Sequence, residues 1–293
     1  MFKARTTTVT PRHTERLRAV PTRIAILAAV VLVCSVTAPA TAEELNLLDQ
    51  QGQLSLGIFV NKNRTDVRLD PEFGGIGTDF DWDKAFGDTE TRFRLDGLWR
   101  FTDKHHVRVM YTDFSRKGTA VFDEDVQWGD QLIPVNASAT GKLEFSIVEV
   151  AYEYALKHTE NFEFSLSAGL HYTDFEAKLA ATIDTPEGGV EDSISDKATL
   201  AAPLPVLGAH GIWNIGRSFY VDAYAQWFAL SVDQYDGGLV NYRASVLWQP
   251  NRWFGIGAGY DVFRVDLKVD GGDFRGSLDW SYSGPQVFLN FAF

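Results

Sequence analysis

The chain of 293 residues is nearly free of sulfur, with one cysteine, Cys34, and two methionines. Cys34 lies within an amino-terminal leader, and it follows Val33 rather than the small residue that precedes a lipid-anchored cysteine. Removal of the leader leaves no thiol, which excludes disulfides, cysteine nucleophiles and thiolate metal sites. We expect neither a metal site nor a cofactor.

The sequence also lacks an apolar run long enough for a membrane-spanning helix. Run 24–36 has about thirteen residues, whereas a spanning helix needs roughly twenty, so the alternative of a membrane anchor is disfavoured. Residues 40–42 have the small-x-small form of a signal-peptidase site. We interpret residues 1–42 as a cleaved signal peptide and predict that residues 43–293 form one domain. Six basic residues precede the apolar run: Lys3, Arg5, Arg12, Arg16, Arg18 and Arg23.

Positive charge is scarce in the rest of the chain. The formal net charge is −12, and the leader holds six basic residues and one acid, so the mature chain has 21 basic and 38 acidic residues and a net charge of −17. An acidic surface repels polyanions, so we expect no nucleic-acid partner. Because no segment of the mature chain could span a bilayer as a helix, a membrane protein built from it has to be a β-barrel.

The last nine residues alternate in hydrophobicity. In an extended strand, every second side chain shares one face. A soluble protein rarely ends on such a strand, because nothing beyond it would cover the apolar face. In an outer-membrane barrel that face contacts lipid and needs no protein cover. The apolar face consists of Val287, Leu289, Phe291 and Phe293.

Similar alternating segments recur along the chain, as in 93–101, 107–111, 162–173 and 219–229. Arginines cannot face lipid, so the charged face of each segment is assigned to the lumen. The pattern predicts an all-β fold, a membrane-spanning antiparallel up-and-down β-barrel of about ten strands, with eight or twelve possible. A soluble β-sandwich is the alternative, but its inward faces would be apolar.

The leader and the closing strand resemble those of small outer-membrane β-barrel proteins of Gram-negative bacteria, of the OmpA-like or porin-like kind. A last strand ending on Phe293 is similar to the signal that the assembly machinery of that membrane reads. The resemblance implies an outer-membrane location, contacts with outer-membrane lipids and lipopolysaccharide, and passage through periplasmic chaperones to the barrel-assembly machinery. It does not define a function.

The polar and Gly-rich stretches are predicted to be extracellular loops. Residues 63–89 are interpreted as a strand extension followed by a loop, and residues 129–139 and 184–196 as two further loops. Acids in the segments 79–83, 123–131 and 184–196 are candidates for binding divalent cations that bridge to lipopolysaccharide phosphates.

Two irregularities are expected within strands. In the fourth strand, the apolar side chains up to Ile147 have the opposite parity to those from Val148 onwards, which predicts a β-bulge near Ile147. Pro203 and Pro205 remove backbone donors, so the upper part of the sixth strand is predicted to be irregular.

The charged faces of the second to fourth strands are expected to meet in the lumen. A narrow lumen favours the pairing of opposite charges. We favour a plug of salt bridges that stiffens a small barrel, and an ion-selective constriction is the alternative. The lumen cluster consists of Arg92, Arg94, Arg100, Arg108, Glu149 and Glu153.

Two histidines, His171 and His210, are expected on the lumen faces of neighbouring antiparallel strands. A hairpin centred near Gly188 is predicted to place them close to opposite each other. A structural role is favoured over a metal site or an acid/base dyad, because no acid is adjacent to them by spacing.

No motif in the sequence indicates catalysis. Outer-membrane enzymes need Ser–His pairs, or acid–acid and acid–His pairs at the rim, and His105 and His106 are predicted at a periplasmic turn. We therefore expect a non-enzymatic protein with a structural, surface-interaction or narrow-pore role. A lipid-modifying enzyme of the lipid A deacylase or phospholipase type is the alternative.

Overall fold

The computed structural model describes residues 46–293 except 73, 185–189, 217, 233–234, 252 and 272–273. The predicted signal peptide lies outside these residues. Ten long strands follow one another along the chain: β1 (Gly52–Leu69), β2 (Thr89–Arg100), β3 (His105–Val121), β4 (Ser138–Thr159), β5 (Phe162–Asp184), β6 (Val190–Gly216), β7 (Phe219–Val232), β8 (Tyr235–Asn251), β9 (Phe254–Gly271) and β10 (Phe274–Ala292).

The ten long strands form one antiparallel sheet in sequential order, β10 also pairs with β1, and the two-residue strand Phe80–Asp81 is added to β1. At this seam Gln53 is opposite Ala292. The backbones of Gly52 and Phe293 exchange two hydrogen bonds, with N···O distances of 2.7 and 2.9 Å. The prediction of a closed barrel of about ten strands is confirmed. A closed sheet has no edge strand, which is what allows it to contact lipid.

β1 continues to Leu69, so residues 63–69 are the strand extension predicted within 63–89. The strands β5 and β6 are longer than predicted. The loop predicted at 184–196 is too long, since β5 ends at Asp184 and β6 begins at Val190. β5 and β6 have 23 and 27 residues, whereas about ten tilted residues are enough to cross the bilayer. More than half of these two strands therefore lies beyond the membrane.

The outward side chains divide the barrel into two parts. The membrane half is the part with apolar outward side chains, and the extracellular half is the part of the strands and connections beyond it. The membrane half consists of residues 52–60, 93–100, 105–112, 147–157, 162–172, 207–216, 219–229, 240–251, 254–262 and 286–292.

In the membrane half the faces are as the alternation predicts. On β4, outward Val150 and Tyr152 are exposed, whereas inward Glu149 and Glu153 are fully buried. Outward aromatic side chains lie near the short turns at the lower end, where amphipathic rings prefer the headgroup level of a bilayer. They include Phe101, Tyr154, Trp213, Phe219, Trp248 and Trp253.

In the extracellular half the polarity of the two faces is exchanged. On β9, outward Arg264 and Lys268 are exposed, whereas inward Val265, Leu267 and Val269 are buried. The same side of each strand still faces the lumen, because the alternation continues without a slip. Water now surrounds the barrel, so the apolar side chains occupy the inside.

This exchange explains why the β-bulge predicted near Ile147 is wrong. β4 alternates continuously from Ala139 to Ala155, and its register with β3 and β5 is unbroken at Ile147. Leu143 and Phe145 point inward and are buried. The apolar side chains of this strand change faces because lipid outside gives way to water, and not because an extra residue is inserted.

The prolines of β6 disturb one side of the strand. Pro203 and Pro205 are in regular register with Tyr172 and Leu170 of β5. On the other side, the described pairing with β7 extends up only to Leu207. Proline has no backbone N–H to donate, so the predicted irregularity is found on the β7 side alone.

Two connections fold into the upper lumen. The segment after β1 contains the short helix α1 (Trp82–Phe86), and the segment after β3 contains a hairpin of Val126–Trp128 with Gln131–Ile133. Trp82 and Trp128 are fully buried in the core of the extracellular half.

The helix α1 is seated on a pair of glycines. Gly118 of β3 and Gly141 of β4 are directly opposite each other, and the ring of Phe86 lies against both. A Cβ at either position would overlap the ring, so these two inward positions require glycine.

A 3₁₀ turn, Leu47–Asp49, covers the lower mouth of the barrel. Leu48 is fully buried, and the backbone N–H of Leu47 donates to the hydroxyl of Tyr220 over 3.1 Å. The side chain of Gln53 donates to the carbonyl of Leu47 over 3.2 Å. Within the described residues no helix has the length and apolar character needed to cross a membrane.

Candidate functional site

The lumen of the membrane half contains a buried network of charged side chains. Arg108 of β3 contacts both predicted glutamates of β4, with N···O distances of 3.1 Å to Glu149 and 2.7 Å to Glu153. His210 of β6 lies between two carboxylates, 2.9 Å from Glu153 and 2.7 Å from Asp222 of β7. The network thus joins strands on opposite sides of the barrel.

Arg94 is the centre of a second group. Its guanidinium donates two hydrogen bonds to Asp96, over 2.8 and 3.0 Å, and one to Asp261 over 2.7 Å. A further bond of 2.9 Å reaches the hydroxyl of Tyr224. Arg94 and Asp261 are almost completely buried, so each depends on the other for charge compensation.

Arg243 connects the two groups. It lies 3.0 Å from Asp96 and 3.4 Å from Asp222. The arginines and carboxylates therefore form one continuous set of ion pairs across the lumen. Breaking a buried pair leaves an uncompensated charge, so such a network resists local opening.

Arg100 belongs to a separate cluster next to the 3₁₀ turn. It donates to Glu163 over 3.2 Å and to the carbonyl of Gln50 over 3.2 Å. The ring of His158 is 2.7 Å from the other oxygen of Glu163. This cluster ties the turn to the barrel wall.

Arg92 contacts neither Glu149 nor Glu153 in the described structure. It donates to Asn63 over 2.6 Å and lies 3.5 Å from Glu90. Its guanidinium stacks over Phe114, 3.9 Å from the ring centroid, and over Tyr282 at 4.9 Å.

The predicted lumen cluster is thus only partly one cluster. Of its four arginines, Arg108 alone contacts Glu149 and Glu153 in the described structure. Sequence reasoning missed the other charged members of these clusters, although all of them occupy inward positions of the alternating strands. The missed members are Asp96, Asp222, Asp261, Glu163 and Arg243.

The expected opposition of His171 and His210 is not met. His171 of β5 is opposite Leu204, and His210 is opposite Ser165, six positions lower on β5. His171 is fully buried and stacks on Phe263, with ring centroids 5.6 Å apart. His210 belongs to the charge network, so the two rings have different surroundings.

Above the charge network an aromatic layer fills the lumen. Trp280 of β10 stacks on Phe145 of β4 with ring centroids 4.0 Å apart, and Phe145 stacks on Phe114 of β3 at 4.8 Å. Phe263 and Tyr282 are parallel at 5.0 Å. These contacts cross the lumen from β3 and β4 to β9 and β10. The layer separates the charge network from the extracellular core.

A small polar group lies between the aromatic layer and helix α1. Arg116 of β3 is 2.8 Å from Asp83 of α1 and 3.4 Å from Glu90. Burial raises the pKa of Asp83 above its usual range, while the hydrogen bond and charge of Arg116 act in the opposite direction. The ion pair between Arg116 and Asp83 therefore attaches α1 to the barrel wall, although burial removes part of the hydration of the Asp83 carboxylate.

The cavities within this arrangement are small. A cavity of about 60 Å³ lies in the lower lumen between Asp96, Arg108, His210, Arg243 and Tyr220, which is room for a few water molecules. Within the described part of the chain, no three His, Cys, Asp or Glu side chains are grouped to hold a metal ion.

A wider cleft of about 440 Å³ lies at the extracellular rim between β1, β7, β9 and β10. Four of its charged side chains form two ion pairs: Arg68 is 2.9 Å from Asp70, and Arg275 is 3.0 Å from Asp270. The cleft is open to solvent, and its mixed charges favour neither sign of ligand.

The last strand is placed as predicted. Val287 and Leu289 are exposed on the outer face, and Phe293 contacts Trp99 of β2 with ring centroids 6.1 Å apart. Phe291 contacts Phe254 of β9 at 6.1 Å. The apolar side chains of the strand therefore lie on the outer wall near the lower end of the barrel.

The chain is similar to known proteins in structure and not in sequence. No protein-family model matches the chain, and no curated protein matches its sequence. The outer membrane protease OmpT from Escherichia coli superimposes with a TM-score of 0.59 at 13% identity, covering 87% of this chain and 100% of that chain. The translocator domain of autotransporter NalP from Neisseria meningitidis matches with a TM-score of 0.42 at 9% identity, covering 93% of this chain and 95% of that one.

The chain is an integral outer-membrane β-barrel protein. The closed sheet of ten antiparallel strands, its apolar outer band and the superposition on an outer-membrane barrel together support this class. At 13% sequence identity, the likeness to OmpT concerns the fold alone and indicates no activity of this chain.

Proposed function

We propose that the protein is a closed, non-enzymatic barrel that presents a rigid platform for surface interactions on the outside of the cell. The observation that carries this proposal is the filling of the lumen by three successive layers. These are the charge network around Arg108, the aromatic layer around Trp280 and the core around Trp82 and Trp128.

The filled lumen disfavours the narrow-pore role. A conducting path needs continuous space for hydrated ions, whereas stacked rings at 4.0 to 5.0 Å leave no room for water between them. The extracellular half has its own hydrophobic core, so it keeps its shape without lipid. Such a stiff extension suits the display of a binding surface at a fixed height above the membrane.

Planar-bilayer conductance tests the closed lumen. The wild-type protein is expected to give no discrete current steps. The double variant Phe145→Ala/Trp280→Ala opens the aromatic layer and is expected to give irregular conductance, while the outward variant Tyr152→Ala is the matched control without effect. Regular steps of one size from the wild-type protein would show a pore and contradict the proposal.

An enzymatic role is less well supported by the geometry. OmpT is named a protease, but none of the described histidines of this chain lies in the extracellular half: they are His105, His106, His158, His171 and His210. Incubation with outer-membrane lipids, followed by mass spectrometry, tests the lipid-modifying alternative. Accumulation of deacylated or hydrolysed lipid with the wild-type protein would overturn the non-enzymatic part of the proposal.

A further inference from the structure

The ring of strands is interrupted in the extracellular half, above the short strand β2. β2 begins only at Thr89, and its pairing with β3 starts at Phe93, which is opposite Asp113. β3 continues above this point to Val121 and pairs there with β4 alone among the described strands. On the other side of the gap, β1 continues to Leu69. Helix α1 lies in the gap and contacts both β1 and β3.

The upper part of β3 therefore has an open edge. The backbone N–H of Phe122 donates to the carbonyl of Ala137 on the β4 side over 3.1 Å, and the register between β3 and β4 is unbroken. Backbone bonds of an antiparallel ladder alternate in direction, so the odd-numbered residues direct their N–H and C=O groups into the gap. No described strand pairs with these groups. We call four exposed residues the open edge: Ser115, Lys117, Thr119 and Val121.

An apolar groove of about 230 Å³ lies beside the upper end of the open edge. Its lining includes Val121 and the rings of Phe80 and Phe122, whose centroids are 5.3 Å apart. Two hydrogen bonds of 2.9 Å join its two sides: the N–H of Thr78 donates to the carbonyl of Gln127, and the N–H of Gln127 donates to the hydroxyl of Thr78. The groove is therefore preformed.

The walls of the groove are acidic. One ammonium group, that of Lys84, lies among the lining side chains and is 3.7 Å from Asp123. Asp79 is 3.6 Å from Arg68, which lies outside the groove. Within the described residues no three acids are grouped to hold a metal ion. Carboxylates without a common centre suit the separate side-chain cations of a peptide. The lining carboxylates are those of Asp79, Asp81, Asp123 and Glu124.

Lys117 indicates which part of the open edge a partner uses. It is four residues below Val121, which corresponds to about 13 Å along the strand, so it lies below the groove. A lysine on an edge strand discourages pairing with a second copy of the same edge, because the two like charges would approach each other. The open edge therefore favours an unlike partner whose basic side chains lie higher, next to the acidic walls.

We propose that the open edge and the groove form a docking site for an extended, basic segment of a partner polypeptide. The segment adds as a strand beside Thr119 and Val121, and its backbone bonds to the N–H and C=O groups that point into the gap. Its apolar side chains contact the groove around Phe80 and Phe122, and its Lys or Arg side chains reach the carboxylates. The inference rests on the proposed surface-interaction role and names the class of partner.

Two substitutions at one position test the strand pairing. Thr119→Pro removes an N–H that points into the gap, and the ladder with β4 does not use that N–H. Thr119→Ala keeps the N–H and is the matched control, since both variants lose the hydroxyl contact with Thr140. The probe is a short, capped, fluorescent peptide of alternating lysine and valine. Its affinity for the refolded protein in detergent is read from fluorescence anisotropy, and heat-modifiable mobility checks folding.

The Thr119→Pro variant is expected to bind the peptide at least about tenfold more weakly than wild type, and Thr119→Ala within about twofold. The same peptide methylated at its central backbone nitrogens keeps its charge but cannot donate to the edge. It is expected to bind wild type at least about tenfold more weakly, which tests the pairing without any change to the protein. Equal binding of the methylated and unmethylated peptides would show charge attraction alone and overturn the proposal.

The charge of the groove is tested with two double variants. Asp123→Asn/Glu124→Gln removes two wall carboxylates, and Asp174→Asn/Asp266→Asn removes two exposed carboxylates elsewhere in the extracellular half. The groove variant is expected to bind the lysine peptide about fivefold more weakly, and the control variant within about twofold. A peptide of alternating glutamate and valine is expected to bind wild type at least about tenfold more weakly. An equal loss in both variants, or equal binding of the two peptides, would overturn the basic partner.

Two further results separate this inference from its alternatives. Dimers of the free protein that Thr119→Pro abolishes would assign the open edge to a second copy and overturn the proposal, and monomers are expected. Failure of the lysine peptide to bind a wild-type protein that gives no current steps in planar bilayers would overturn the docking site and leave the closed barrel standing. Regular current steps would overturn the proposed function, whatever the peptides do.

Discussion

The membrane half and the extracellular half of the barrel are built from the same strands with opposite distributions of polarity. In the membrane half, Val150 faces outward and Glu149 inward; in the extracellular half, Glu144 faces outward and Phe145 inward. The parity of the strand is constant along its length. Lipid outside the wall favours apolar outward side chains, and water outside it favours polar ones. The side chains of opposite polarity then point into the lumen.

The two halves are therefore stabilised by different interactions. Inside the membrane half, apolar side chains are already in contact with lipid, so the interior is held by paired charges. In the extracellular half the interior is a conventional hydrophobic core. Substitutions chosen along one strand can therefore separate charge pairing from apolar burial.

The largest effect is expected from Arg108→Leu in the membrane half. The substitution leaves Glu149 and Glu153 without their common cation in a buried site, and loss of one partner of a buried pair costs about 3–5 kcal/mol. Guanidinium unfolding in detergent, followed by tryptophan fluorescence, measures the change. A cost below about 1 kcal/mol would show that water reaches these carboxylates.

In the extracellular half, Leu143→Ala is expected to be the sensitive change. Leu143 is fully buried in the hydrophobic core, and such truncations cost about 2–5 kcal/mol through lost burial and the cavity left behind. The neighbouring outward variant Glu144→Ala is the matched control, expected to change stability by less than about 1 kcal/mol. The same unfolding assay applies, and equal costs for the two variants would contradict the assigned faces.

Arginine placed on the outer wall tests the boundary between the halves. Leu166 and Ala180 are both outward on β5, fourteen residues apart, and Leu166 is near the middle of the membrane half. Leu166→Arg is expected to cost about 2–4 kcal/mol, because a guanidinium then contacts lipid near the midplane of the bilayer. Ala180→Arg is expected to cost less than about 1 kcal/mol. Stability in liposomes gives the measurement, and a high cost at both positions would move the boundary upwards.

The smallest effect is expected from the exposed ion pair of the extracellular half. Arg264 lies 3.2 Å from Asp279, and both side chains are substantially exposed. Arg264→Gln is expected to change stability by about 0–1 kcal/mol, since solvent and salt screen surface pairs. A loss of stability as large as that of Arg108→Leu would mean that exposed and buried ion pairs contribute equally to the stability of this protein.

Much of the barrel could be predicted from the sequence, because strand parity is a local property. The inward positions of Arg94, Arg108 and Glu149 follow from alternation, as do the short turns at the lower end. The pairing of Arg94 with Asp261 could not be predicted, since it joins residues from β2 and β9 across the lumen. Such contacts depend on the curvature of the closed sheet, which no local pattern encodes.

Two of the wrong predictions have identifiable physical causes. The bulge at Ile147 followed from the assumption that apolar side chains face outward along the whole strand, which is true only where lipid surrounds the barrel. The opposition of His171 and His210 required a register six residues away from the one found, in which His171 is opposite Leu204. A register error of a few residues moves a side chain many ångströms along the wall.

The seam between β1 and β10 determines how the protein can fold. Gly52 and Phe293 exchange backbone hydrogen bonds although almost the whole described chain separates them. Contacts of such high sequence separation form late, because a long segment loses its freedom before they contribute any free energy. Until then both outermost strands have unpaired backbone groups, which in hydrocarbon is a severe penalty. Ring closure is therefore expected to be the rate-limiting event of membrane insertion, and weakening this one ladder should slow assembly more than weakening any other.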